Sequence, residues 1–209
     1  EENRRRARSR IAWLERQIEN LARQRQARRA LRASRGVPVV SIVGYTNAGK
    51  STLLNNLTHS EVLVEDRLFA TLDSTTRQMV SRARQVVLMT DTVGFIRKLP
   101  HHLVASFHST LVEAIEADTL LHVTDAADLD FRRHLTAVDG VLDDILGDPR
   151  PPRIMVFNKC DRLEPEEAAA LRVEFPDCHV VSARTGEGLP ALRTELFRRW
   201  GELRAVKAG

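Results

Sequence analysis

Between the apolar run Val39-Val40-Ser41-Ile42-Val43 and a helical stretch that begins at Lys50 lies Gly44-Tyr45-Thr46-Asn47-Ala48-Gly49-Lys50-Ser51. It fits the pattern G-x-x-x-x-G-K-[ST], which a chain of this length and average composition would match by chance about one time in a hundred. The pattern has physical meaning only between a strand and a helix, and that is where it stands. Its glycines let the main chain wrap an anion with no side chain in the way. Successive N–H groups and the helix N-terminus then converge on that anion. Lys50 is placed to reach β- and γ-phosphate oxygens, and the Ser51 hydroxyl to hold Mg²⁺, with Thr52 following in the first turn. A strand–loop–helix unit of this kind needs a sheet to pack on.

The rest of the chain supplies one. Apolar runs recur at Val86 to Met89, Leu120 to Val123, Ile154 to Phe157 and His179 to Val181. Helical stretches lie between and after them, at Leu103 to Ala117, Phe131 to Leu146, Pro165 to Val173 and Leu189 to Trp200, where Phe197 and Trp200 are expected to pack on the sheet. This alternation predicts an α/β fold, a mostly parallel sheet with helices on both faces. Arg77 to Met89 holds two strand-like pieces with no helix between them, which predicts one antiparallel edge strand.

A sensor for the terminal phosphate needs an Asp and a Gly three residues apart. The chain has two such pairs. Asp144-Ile145-Leu146-Gly147 closes a helical stretch, where Gly147 reads as a C-cap. Asp91-Thr92-Val93-Gly94 ends an apolar strand, and ligands bind at strand C-termini in sheets of this kind. Asp91 is therefore assigned to the Mg²⁺ water shell and the Gly94 N–H to the γ-phosphate. Between the phosphate loop and the hairpin runs Leu68-Phe69-Ala70-Thr71-Leu72-Asp73-Ser74-Thr75-Thr76-Arg77. A threonine here can ligate Mg²⁺ and bond the γ-phosphate, and on chemistry alone Thr71, Thr75 and Thr76 all qualify. Loss of the γ-phosphate would release the segment.

The base is read from Asn158-Lys159-Cys160-Asp161, at the end of another apolar run. A carboxylate at Asp161 can accept from guanine N1–H and from its N2 amino group. Adenine offers neither, and a site built on such bonds discriminates by about four to five orders of magnitude. Asn158 would brace the loops and the Lys159 stem would cover the base. Ser182-Ala183-Arg184 follows a further strand, and the Ala183 N–H could meet guanine O6. GTP and GDP, not ATP, are the expected substrate and product, and the fold is that of a P-loop GTPase.

Charge divides the chain. Residues 1–35 carry twelve Arg and four Glu, a net +8, against +4 for the whole, so the remainder is acidic. With no Gly or Pro before Gly36, and with Ile11, Leu14, Ile18 and Leu21 in a narrow apolar stripe, residues 1–35 read as a long basic helix. Its arginines suit an RNA phosphate backbone as well as water. Residues 36–205 form the expected nucleotide-binding domain. The chain opens on Glu, which suggests an excised piece of a longer protein. Two cysteines without CxxC spacing suggest free thiols in a reducing cytoplasm. No apolar run approaches the roughly 18 residues of a membrane span. His101, His102 and His108 lack ligand spacing, so no zinc is expected.

Taken together, GYTNAGKST, LFATLD followed by TTR, DTVGFIRKLPHHLVASFHSTLVEA and NKCD resemble the HflX family of ribosome-associated GTPases. The resemblance spans the whole chain, the arm resembling the end of the linker before the family's GTPase domain. It implies Thr71 as the Mg²⁺-ligating switch threonine. Phe69, Ala70, Leu72 and Asp73 then fall around it at the nucleotide, and Lys50, Thr71 and Gly94 carry catalysis. Ser74 stands where the family usually has Pro. The resemblance further implies binding, as a monomer, to the large ribosomal subunit and the splitting of stalled or idle ribosomes.

Phe95 follows the sensor glycine and cannot aim a water by hydrogen bonding. Related GTPases with an apolar residue here hydrolyse slowly alone and rely on a partner or an ion. Asn47 resembles the phosphate-loop asparagine that helps hold K⁺ in some of them, so K⁺ is a candidate second cation. Arg77 and Arg97 are candidate internal arginines. The alternative reading is a GTP-dependent binding switch with negligible catalysis.

Overall fold

The computed structural model describes residues 10, 13, 36–58, 75–81, 83–92, 94, 117–146 and 150–208. The chain divides into two units, Glu1–Val37 and Pro38–Gly209. In the first, Arg10 and Trp13 are helical, and the Arg10 guanidinium lies 4.7 Å over the Trp13 ring. The apolar stripe of the arm lies outside the described residues, as do the stretch from Leu68 to Ser74, Val93, Phe95, Arg97, the three neighbouring histidines, the helix expected from Leu103 and Gly147. The unit boundary falls two residues beyond the expected one.

The second unit alternates strands and helices. In chain order the described elements are β1 (Val39–Val43), α1 (Lys50–Thr58), β2 (Thr75–Val80), β3 (Val86–Asp91), β4 (Thr119–Asp125) and α2 (Phe131–Ile145). They continue with β5 (Arg153–Asn158), a 3₁₀ turn (Cys160–Arg162), α3 (Pro165–Glu174), β6 (His179–Val180) and α4 (Leu189–Ala208). The last helix runs past the expected end of the domain at residue 205. The sheet order is β2-β3-β1-β4-β5-β6. All neighbours are parallel except the β2–β3 hairpin, which places the antiparallel strand at the edge as the sequence predicts.

Helices cover both faces because the strands alternate inward on both. On β4, Leu121 and Val123 join the cluster under α1 and α4, with Leu53, Leu57, Leu192, Leu196 and Trp200. Leu120 faces the other way, onto Val138 and Leu142 of α2. A third cluster packs Phe131, Phe157 and Leu171 beneath α2 and α3. Helix α2 buries Phe131, Leu135, Val138 and Leu142, a 4-3-4 spacing that makes one apolar stripe. The chain order reverses at β1: β3 lies on one side of it and β4 on the other. That reversal opens a crevice at the strand C-termini, above β1.

His122 is the polar exception in the core. It is fully buried on β4, and among the described residues neither ring nitrogen has a hydrogen-bond partner; Nδ1 is 3.7 Å from Asp139 Oδ1. Burial, with Arg153 and Lys50 nearby, lowers its pKa to about 3. Above about pH 6.5 the ring is neutral folded or unfolded and titration adds nothing. Below that the unfolded chain takes up the proton first, so stability falls with pH until about pH 3. His122→Leu should therefore remove about 2 kcal/mol of the stability lost between pH 7 and pH 5. Denaturant melts of both chains at the two pH values measure this, and equal pH dependence would rule it out.

Candidate nucleotide site

The loop from Gly44 to Gly49 joins the C-terminus of β1 to the N-terminus of α1. Asn47 takes a left-handed conformation (φ 63°), which asparagine tolerates. Gly49 (φ 86°) has a second reason to be glycine: a Cβ there would lie 2.3 Å from Asn158 Nδ2. Lys50 is buried, and its ammonium donates to the Tyr45 carbonyl at 2.9 Å, bending the side chain back across its own loop. Burial lowers the Lys50 pKa to about 8, partly offset by the Asp91 charge.

Strand β3 brings Asp91 level with Ile42 of β1. Its carboxylate is buried and accepts from the Ser51 hydroxyl at 2.6 Å, so the two expected Mg²⁺-side oxygens lie together. Three positions on, Gly94 closes over the loop. A Cβ on it would stand 2.9 Å from Lys50 Nζ and 2.8 Å from Thr46 Cγ2. Only glycine leaves that space open for a group between the sensor main chain and the lysine. Two hard oxygens and a cleared cradle beside an ammonium fit a phosphate-bound Mg²⁺.

The base side is built from the ends of β5 and β6. Asn158 is buried, donating from Nδ2 to Ala48 O (2.8 Å) and accepting at Oδ1 from Ala183 N–H (2.8 Å). One carboxamide thus ties three loops. Lys159, at φ 67°, sends its ammonium to Asp125 Oδ2 at 2.7 Å, which stretches the stem between β5 and β4. Asp161 accepts from Ser182 Oγ at Oδ1 (2.6 Å), and Arg184 Nη2 lies 2.6 Å from Oδ2. These neighbours, Ser182 foremost, hold the Asp161 carboxyl below its usual range. Asn56 of α1 reaches the same corner and donates to the Ala183 carbonyl at 2.5 Å. Its contact has no counterpart in the sequence motifs; only the docking of α1 beside the last loop produces it.

Several expected positions also make contacts within the protein. The Ala183 N–H, read as a donor to guanine O6, is engaged by Asn158, so here it braces the loops. The Thr92 hydroxyl points into the sheet, donating to Ile42 O at 2.7 Å. Tyr45 turns its ring away from the loop and stacks on His134 of α2 at 3.8 Å. Cys160 packs against the third core cluster, and burial with Glu187 alongside pushes its thiol up to about 11. Thr75 and Thr76 belong to β2, where Thr76 Oγ1 lies 3.1 Å from Thr90 Oγ1. Arg77 lies on β2 opposite Met89. Asp144, of the second Asp–Gly pair, stands in the last turn of α2, which ends on Leu146 in extended geometry.

Comparison with known proteins places this geometry. The family described as "50S ribosome-binding GTPase" matches residues 39–159. The chain is 49% identical over 195 residues to a "GTPase HflX" of Gluconacetobacter diazotrophicus, covering 93% of this chain and 43% of that protein. To the "GTPase HflX" of Escherichia coli it is 44% identical over 201 residues, 95% of this chain and 47% of the relative. It therefore spans less than half the length of these curated relatives. Among solved structures, a GTP-binding protein from Sulfolobus solfataricus in complex with GDP superposes with a TM-score of 0.61 at 26% identity, over 93% of this chain and 60% of that one. Era of Aquifex aeolicus shares the fold alone, with a TM-score of 0.61 at 24% identity over 78% of this chain and 56% of its own. With a phosphate loop, an Asp–Gly sensor and an Asn-Lys-x-Asp corner on one sheet edge, and relatives this close, the chain belongs to the HflX family of GTPases.

Proposed function

We propose that this chain is the GTP-binding and GTP-hydrolysing part of a cytoplasmic, ribosome-associated factor. The longer protein would bind the large ribosomal subunit and split stalled or idle ribosomes. The observation that carries the nucleotide reading is Asn158, whose single carboxamide joins the phosphate loop to the last loop beside Asp161. The proposed phosphate cradle and the proposed purine-edge carboxylate are thereby tied to one another. The ribosomal reading draws on the matching family's description and on the arginines of the arm.

In the mechanism these residues support, amides of the Gly44–Ser51 loop and the α1 N-terminus bind the β-phosphate. Lys50 bonds β- and γ-oxygens, and the Gly94 N–H bonds the γ-phosphate. Ser51, Asp91 and, by family resemblance, Thr71 would hold Mg²⁺, which when bound neutralises charge on the phosphate oxygens. Water attacks the γ-phosphorus, the bond to the bridging oxygen breaks, and GDP and phosphate leave. Lys50 and the Gly94 amide stabilise the charge that spreads over the transferred group. Asp161 fixes the guanine edge. Phe95 offers the water no acceptor, so turnover without a partner is slow. The large subunit is proposed to order Thr71 and accelerate it, with K⁺ beside Asn47 as a further source of positive charge.

Asp161→Asn should weaken GTP binding by at least a hundredfold and favour xanthosine triphosphate, whose edge suits the amide. Calorimetry with both nucleotides checks this, and an unchanged preference would undo the base assignment. Single-turnover hydrolysis should rise by about 10³-fold or more when large subunits are added to the parent protein. A rate that stays flat and negligible would favour the binding-switch alternative.

Lys50 gives a pH signature. Phosphate contacts raise its pKa above the value of about 8 that it has in the free site. That part of the binding energy is complete below pH 8 and is lost as pH rises through the free and then the bound pKa. The affinity for GDP should drop roughly fivefold to tenfold between pH 7.5 and pH 9. Titration calorimetry in two buffers of different ionisation enthalpy should show proton uptake near pH 8; none would mean the lysine enters fully charged.

A further inference from the structure

Asp161 and Arg184 form an unequal pair. The carboxylate is 8% exposed and the arginine side chain 71% exposed, with Nη2 2.6 Å from Oδ2. The loop beneath is tightly bonded: Ser182 Oγ donates to Asp161 Oδ1 at 2.6 Å and accepts from Thr185 N–H at 3.1 Å. Gly186 N–H closes the turn on the Ser182 carbonyl at 2.9 Å. The main chain of Arg184 is thus held, while most of its side chain is exposed and, among the described residues, tethered at its head. Asp161 Oδ2 is buried and, among the described residues, accepts no hydrogen bond; its contact with Arg184 is an ion pair.

The chemistry of the partner is informative. The edge of guanine that a carboxylate reads, N1–H and the N2 amino group on one carbon, is itself a guanidine fragment. A guanidinium offers the same planar pair of donors with a full positive charge. Resting on the proposed guanine site, we propose that Arg184 is a stand-in for the guanine edge, occupying the recognition carboxylate of the nucleotide-free chain and swinging out when the base arrives. The exchange is one-sided, because the base brings hydrogen-bond donors to an oxygen that has none among the described residues. The swap spares the domain a bare buried carboxylate when it is empty. It also taxes nucleotide entry, since only the fraction of molecules with the arginine out can take up the base.

The test is stopped-flow binding of N-methylanthraniloyl-GDP, with Mg²⁺, to the nucleotide-free chain and to its R184A and R184K variants. An exposed arginine on a carboxylate holds the closed state by a small margin, so R184A should associate about fivefold faster with its dissociation rate little changed. R184K, which keeps the charge but loses the fork, should fall between. The gap between wild type and R184A should narrow in 1 M KCl, where the pair is screened. R184A should also lower the melting temperature of the nucleotide-free chain more than that of the GDP-bound chain. Association at the wild-type rate or slower, or faster GDP release, would mean that Arg184 is idle or clasps the base, and either overturns the proposal. ADP competing as well as GDP in the wild type would instead remove the guanine site itself.

Discussion

A single buried carboxamide holds the site together. Asn158 satisfies two main-chain groups that belong to different loops, Ala48 O and Ala183 N–H, and does so with both ends of one short side chain. Neither loop has a strand partner at that point, and a buried amide or carbonyl left without one costs about 1–3 kcal/mol. An aspartate could not donate to Ala48, and a shorter or apolar residue would leave both groups bare. Gly49 is bound to the same constraint, since any Cβ there would strike the Asn158 amide. Packing and hydrogen bonding therefore select the same pair of residues, which makes the spacing between phosphate cradle and base corner a rigid property of the sheet edge.

Around that brace the fold gathers charge in a buried place. Lys50 and Asp91 are each almost fully covered, and Asp161 nearly so. Each has a local partner: the Tyr45 carbonyl for Lys50, Ser51 for Asp91, and Ser182 with Arg184 for Asp161. Those partners compensate the charges, because a buried charge left unpaired would be costly.

Much of the site is legible in the residues. Gly44 to Ser51, Asp91 with Gly94, and Asn158 with Asp161 fall at strand ends on one edge, as the pattern of apolar runs predicts. The second Asp–Gly pair is set aside by the same logic, because Asp144 belongs to a helix end rather than a strand end. What pattern reading handles less well is the direction of individual side chains. Thr92, Tyr45 and Cys160 lie inside binding motifs, yet their side chains serve the sheet, α2 and the third core cluster. A motif records which main-chain atoms must pass near a ligand; it says little about where a side chain finds its best packing.

The sequence by itself determined the order of the parts and their chemistry: a glycine loop suited to phosphate, a carboxylate suited to guanine, strands and helices in alternation. Those features are local, written in residue types and short spacings, and need no knowledge of what lies opposite. Only the tertiary structure decided who pairs with whom across the crevice. Ala183 N–H goes to Asn158, Arg184 to Asp161, Asn56 to the last loop and Lys159 to Asp125, over separations of 25, 23, 127 and 34 residues. Such partnerships are fixed by sheet order and by the need to satisfy each buried polar group, and both belong to the folded chain as a whole.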